Sequence, residues 1–221
     1  MARTDELIKK DIIDQMARDD RVNAAKVNVE VSNGTVTLRG EVPTYFARSA
    51  AYDDALGTLG VTYVRNQLLV TYPPSVSLPT DLEIEDNIRE KISANPDLDL
   101  IDVDVNVSAG TVTLKGTVDA YWKKIHAENL VASEPGVILI ENHLAVVPTD
   151  DIVDISIAED IVDTLESRSA VDADDVNVRV RNGAVTLTGS VPSWSARKAA
   201  EEAAVYTAGV KDVINRIAIL G

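Results

Sequence analysis

Val-Thr-Leu occurs at 36–38, 112–114 and 185–187, and two residues later each copy carries a glycine: Gly40, Gly116 and Gly189. The offsets, 76 and 73, also carry Gly34 to Gly110 and Gly183, Gly60 to Gly136 and Gly209, and Asn66 to Asn142 and Asn215. Ile12 maps onto Ile88 and Ile161, and the alternating Val27, Val29 and Val31 onto two further valine triplets. No gap is needed between the first helix and the last strand of a copy. A chain built this way folds as three copies of one module of about 70 residues.

Each copy reads alike. Ile8, Ile12 and Met16 stand at helical spacing, as do Ile84, Ile88 and Ile92, and Ile157, Ile161 and Leu165, which predicts an amphipathic first helix. Val27-Asn28-Val29-Glu30-Val31 alternates strictly and reads as a half-buried strand. Asn33-Gly34 and Asn182-Gly183 signal a tight hairpin, because both central residues tolerate positive φ. Ala109-Gly110 keeps only the glycine, so the second hairpin is expected to be looser. Thr44 and Ser193 supply N-cap hydroxyls for an Ala-rich second helix, with Asp119 the expected cap in copy two. Gly60, Gly136 and Gly209 are expected to end that helix. A last strand follows near 61–71, 137–147 and 210–220.

The expected class is therefore α+β: three tandem αββαβ two-layer modules at 1–72, 80–148 and 151–221. In each, a three-stranded sheet is covered on one face by two helices. Pro73-Pro74-Ser75-Val76-Ser77-Leu78-Pro79 reads as a stiff linker. Pro148-Thr149-Asp150-Asp151 is shorter, so copies two and three are expected to lie closer than copies one and two.

Composition removes several functions. With no cysteine there is no disulfide framework, thiolate metal site or thiol nucleophile. No apolar run reaches the roughly 18 residues that span a bilayer, and the opening Met1-Ala2-Arg3-Thr4-Asp5-Glu6 lacks a signal-peptide core. A net charge of −15 repels phosphate, so nucleic acid is not an expected partner.

The recurrent glycines bracket strands instead of forming a compact phosphate loop, which makes them turn and close-approach residues. The recurrent asparagines read as backbone-bonding residues at a strand entrance. His126 and His143 fall at positions that vary between copies and read as surface residues. No carboxylate pair recurs in all three copies beside a partner that would tune its pKa, so no general acid is identified.

Two constellations remain. Acidic side chains gather before the first strand of copies two and three, at Asp97, Asp99 and Asp102 with Asp104, and at Asp172, Asp174 and Asp175. Such loops read first as solvated and second as a site for potassium or calcium, which take several oxygen ligands. Residues 1–72 carry 9 basic and 10 acidic side chains, residues 80–148 carry 5 and 13, and residues 149–221 carry 7 and 13. The second constellation is aromatic. Only 4% of the chain is aromatic, yet both tryptophans and the single phenylalanine fall at the start of the second helix. There Phe46, Trp122, Lys123, Lys124, Trp194 and Arg197 combine aromatic surface with positive charge, as a lipid headgroup boundary or a protein partner requires. Tyr45, Tyr121 and Trp194 read more readily as helix-to-strand anchors, leaving Phe46 and Trp122 as the exposed candidates.

The run Asn-Gly-x-Val-Thr-Leu-x-Gly-x-Val-Pro at 33–43, an Ala-rich helix, Gly-Val and a late Asn before the last strand resemble the BON domain, named for bacterial OsmY and nodulation. The resemblance covers essentially the whole chain as three tandem copies. It implies non-enzymatic binding modules tied to osmotic-stress protection, membrane maintenance, phospholipid contact and, in one cytoplasmic branch, potassium sensing. The leading expectation is a binding and scaffold protein of bacterial osmotic or envelope stress, with phospholipid or an envelope protein as partner and no cofactor. The alternative is a cation sensor whose acidic loops order around potassium or calcium. The expected location is cytoplasmic, or periplasmic if a leader has been removed.

Overall fold

A computed structural model of the chain describes residues 3–72, 75–98, 102–168 and 171–219. Part of the expected stiff linker, Pro73 and Pro74, lies outside them. The first module runs α1 (Asp5–Met16), β1 (Val27–Ser32), β2 (Thr35–Val42), α2 (Tyr45–Leu56) and β3 (Tyr63–Val70). The second repeats this order as α3 (Asp81–Ser93), β4 (Val103–Ser108), β5 (Thr111–Val118), α4 (Tyr121–Ala132) and β6 (Leu139–Val146). The third has α5 (Asp154–Glu166), β7 (Val176–Arg181), β8 (Ala184–Val191), α6 (Trp194–Val205) and β9 (Asp212–Ile219). The chain is α+β, with three separate three-stranded sheets and two helices for each.

In every sheet the middle strand pairs antiparallel with the hairpin partner before it and parallel with the last strand. The parallel step needs a crossover, and the second helix supplies it. Period-two burial follows: Val36 and Leu38 of β2 are fully buried, while Thr35, Thr37 and Arg39 face the other way. Against that face lie Ile8, Ile12 and Met16 of α1 and Ala47, Ala50, Ala51 and Ala55 of α2. Alanine has no side-chain entropy to lose and lets the helix approach the strands closely.

Two glycines per copy are set by geometry. At Gly40, φ is +125°, and a Cβ there would collide with the carbonyl oxygen of Lys26 on the paired strand entrance; Gly116 and Gly189 meet Asp102 and Asp175 in the same way. Gly34 sits in a hairpin whose two central residues both have positive φ. Ala109 takes φ +49° despite its Cβ, and β4 pairs with β5 in the register of copy one. The second hairpin is therefore closed like the first. What holds it is a carboxylate at the first position of α3: Asp81 accepts from the amides of Ala109 at 2.7 Å and Gly110 at 2.9 Å. Asp154 grips Asn182 and Gly183 in the same way, and Asp5 grips Asn33 and Gly34. This aspartate does recur in all three copies, but its partners are backbone amides, so it is a clamp between helix and turn.

Two expectations about α4 and its counterparts need correction. Asp119 does not cap α4. The N-cap is Ala120, which makes no side-chain cap bond, and Asp119 instead pairs with Lys123 at 2.9 Å. Thr44 and Ser193 occupy the equivalent position and accept from Ala47 and Ala196. Because Ala120 already has the extended backbone of Thr44, Ala120→Thr is expected to stabilise α4 by about 1 kcal/mol. Hydrogen exchange of the first-turn α4 amides, slowed roughly five-fold, is the check. The second correction concerns Gly60, Gly136 and Gly209. α2 ends earlier, at Leu56 with Gly57 as its C-cap, and Gly60 lies in the following turn beneath Ile8.

Candidate functional site

The starts of the three second helices face neighbouring modules. Tyr45, at the head of α2, packs against the core of its own module and also against that of the second. Tyr121, at the head of α4, packs against the core of the third. Trp194, at the head of α6, lies against Gly57 of the first, where a Cβ would stand 3.2 Å from the indole Cγ. The same position in each copy thus reaches the next copy, and the third reaches back to the first. Head-to-tail contacts whose rotation closes make a ring.

Other side chains repeat this circuit. The Tyr72 hydroxyl donates to the carbonyl of Val137 at 3.2 Å and accepts from the amide of Gly136 at 3.0 Å, tying the first module to the second. Trp122 stacks on Tyr206 with ring centres 6.3 Å apart, tying the second to the third. Tyr52 faces Arg197 across the contact between first and third, where burial pushes the tyrosine up and the cation opposes it. Every pair of modules is joined, so linker length does not rank their proximity.

The six side chains expected to meet a lipid or partner fall into different settings. Phe46 is 48% exposed, with the Arg21 guanidinium 5.4 Å above its ring. Trp122 is half-buried on Tyr206, and Lys123 lies 5.7 Å from the Trp122 ring. Lys124 is half-buried. Trp194 serves the ring closure. Arg197 is 7% exposed, beyond the reach of an outer surface. Its Nε donates to Ile217 at 3.0 Å and its Nη2 to Asn215 at 3.2 Å, bracing α6 against β9. Arg48 makes the equivalent bond to Leu68.

Among the acidic loop residues, Asp97, Asp102, Asp172, Asp174 and Asp175 are exposed, and Asp99 lies outside the described residues. Asp172 is occupied in capping a 3-10 turn through the amide of Asp174. Among the described residues no three His, Asp or Glu side chains come together as metal ligands. Asn66 stands in mid-strand rather than at a strand entrance. Its Nδ2 donates to the carbonyl of Arg48 and its Oδ1 accepts from Leu68, so it braces helix to strand, and Asn142 does the same. His126 meets Asn95 at 2.7 Å, whereas His143 is exposed.

Where the modules meet there is a cleft of about 1120 Å³. The first and third modules form most of its walls, and Ile125 and Asn129 of the second complete it. Its lining includes the cations Arg18, Arg21, Arg197 and Lys198 and the carboxylates Asp11, Asp14, Asp53, Asp54, Glu201 and Glu202. Burial pushes the carboxyls of Asp53 and Asp54 up and the Arg197 guanidinium down. Periodicity does not reveal this cleft, because its residues come from three copies and only Trp194, Arg197 and Asn215 among them stand out in the sequence.

The ring contact has a spectroscopic handle. Burial in the third module, reinforced by the charge of Asp212, pushes the Tyr121 phenol up to about 12. A phenol that ionises near 10 when unfolded and near 12 when folded gives up stability as pH rises between those values, and its contribution is intact below pH 10. The loss is at most about 2–3 kcal/mol at the linkage constant of 1.36 kcal/mol per unit. Absorbance titration of tyrosinate is expected to show one tyrosine ionising near pH 12, and Tyr121→Phe should remove that step. If all tyrosines ionise by pH 11, Tyr121 is not seated in the third module.

Three repeated αββαβ units, joined through aromatic contacts and enclosing a charged cleft, define a tandem array of small two-layer α+β modules. The chain matches the BON domain at residues 4–72, 80–148 and 154–221, and it belongs to the BON domain family. It is 30% identical over 114 residues to the 21 kDa hemolysin of Actinobacillus pleuropneumoniae, covering 51% of this chain and 59% of the hemolysin. It is 28% identical over 128 residues to the osmotically-inducible protein Y of Escherichia coli (strain K12), covering 57% of this chain and 64% of that protein. The match therefore spans less than two thirds of each of these relatives. Among solved structures, the C-terminal domain of CdsD, the structural protein of the type III secretion system of Chlamydia trachomatis, aligns over 99% of this chain at 16% identity with a TM-score of 0.28. No helix among the described residues is long and apolar enough to cross a membrane.

Proposed function

We propose that this chain is a non-enzymatic binding and scaffold protein of a bacterial osmotic or envelope stress response, and that it meets phospholipid surfaces through its first module. The observation that carries the reading is the exposure of Phe46 beside Arg21. Among the scarce aromatics at the second-helix starts, Trp122 and Trp194 are engaged between modules, and Phe46 is the one presented outward. The first module is also nearly neutral, with 9 basic against 10 acidic side chains, so it approaches an anionic surface with the least repulsion. Support for the stress setting comes from the family and from the osmotically-inducible relative.

Cosedimentation with phosphatidylethanolamine–phosphatidylglycerol vesicles tests this. Burying one phenylalanine is worth about 1.5–3 kcal/mol, so Phe46→Ala is expected to weaken association at least ten-fold while circular dichroism stays unchanged. Equal cosedimentation of the folded variant would remove the first module from the contact.

A further inference from the structure

Among the described residues, two fully buried side-chain polar atoms lack a hydrogen-bond partner: Asp54 Oδ2 and Arg197 Nη1. They have opposite charge, they belong to the first and third modules, and both residues line the cleft between modules. Asp54 is 8% exposed and Arg197 7%. Gln15 and Arg21 act on the Asp54 carboxyl and Glu201 on the Arg197 guanidinium, yet one atom of each is left unsatisfied, and an unsatisfied buried polar atom is costly. The other groups of the Arg197 guanidinium are fixed by Ile217 and Asn215, so Nη1 is held in place by the fold. Glu201 acts on the guanidinium through its charge, but among the described residues Arg197 makes no ion pair.

The cleft as a whole excludes simple ions. Six lining carboxylates against four cations disfavour a plain anion, and the fixed guanidinium disfavours a plain cation. A molecule carrying both charges has a counter-charge for each of the two residues. Trp194, Tyr52 and Tyr206 offer aromatic walls for its carbon skeleton. We propose that the cleft binds a small zwitterion, an amino acid or short peptide, with its carboxylate on Arg197 and its ammonium on Asp54. This site is distinct from the Phe46 contact but adjoins it, because Arg21 lines the cleft and lies over the Phe46 ring. Because its two ends rest on different modules, the ligand bridges the first module to the third and strengthens the ring closure.

The test is titration calorimetry on the full chain with glycine, γ-aminobutyrate, 6-aminohexanoate and triglycine, beside acetate, methylammonium and potassium chloride. At least one zwitterion is expected to bind while the singly charged probes do not. The amino-acid series and triglycine together tell a free solute from a peptide and read out the span between the two charges. Asp54→Asn and Arg197→Lys are each expected to weaken binding at least ten-fold. Asp54→Asn removes a buried charge at constant shape, so it folds even if the arginine variant does not. Failure of every zwitterion, equal binding of acetate, methylammonium or potassium, or unchanged affinity in folded Asp54→Asn would each overturn the assignment.

Discussion

Gly116→Val is expected to unfold the second module while leaving the other two folded. At φ +118° a β-branched residue is strained, and its Cβ would run into the Asp102 carbonyl beside the pairing of Val103 with Gly116. Strain of about 1–3 kcal/mol and a backbone collision of similar size together approach the roughly 4–10 kcal/mol that a module of this length has in reserve. Hydrogen exchange is the measurement. Amides of β4 and β5 should lose protection, whereas those of β1, β2, β7 and β8 keep theirs. Retained protection in β5 would mean that the strand entrance moves aside, and that the recurrence of glycine at 40, 116 and 189 has another cause.

Trp194→Ala should separate the first and third modules without melting either. The indole seats on Gly57, and truncating a tryptophan at the centre of a contact typically costs 2 kcal/mol or more. A compact chain of this length has a radius of gyration of about 17 Å. X-ray scattering should report several ångströms more for the variant, with unchanged circular dichroism. Gly57→Leu approaches the same contact from the opposite side and should give the same profile. Two wild-type-like profiles would show that the third module is held to the first by something other than this pair.

Much of the fold was readable before any coordinates. The 76 and 73 offsets located all three modules, and strict alternation in Val27–Val31 and Thr35–Arg39 gave the two faces of the sheet. The misreadings were local. Asp119 looks like a cap because it has the right side chain, but the capping geometry falls on Ala120, one residue later. Gly60 looks like a helix terminator, but its positive φ belongs to a turn that brings Gly34 and Ile8 together. The anchoring Asp5, Asp81 and Asp154 were passed over because acidic residues are common in a chain with 36 of them, and only the hydrogen bonds separate these three from the rest. The site was less legible still. Periodicity tells which side of a helix meets its own sheet and says nothing about which foreign module the helix tip will touch. Trp194 was therefore read as an anchor or a surface contact when it is a fastener between the chain's two ends.

The contact residues also explain why the copies have diverged where they have. In a trimer of identical subunits one substitution alters every interface at once, so the three junctions must stay alike. A single chain is free of that constraint. Gly57 has to accommodate only Trp194, and Tyr206, at the equivalent position, has to accommodate only Trp122. Each junction has become a private lock and key, so the modules cannot be exchanged: the same three units covalently joined in another order would present Trp194 to a neighbour without a glycine to receive it.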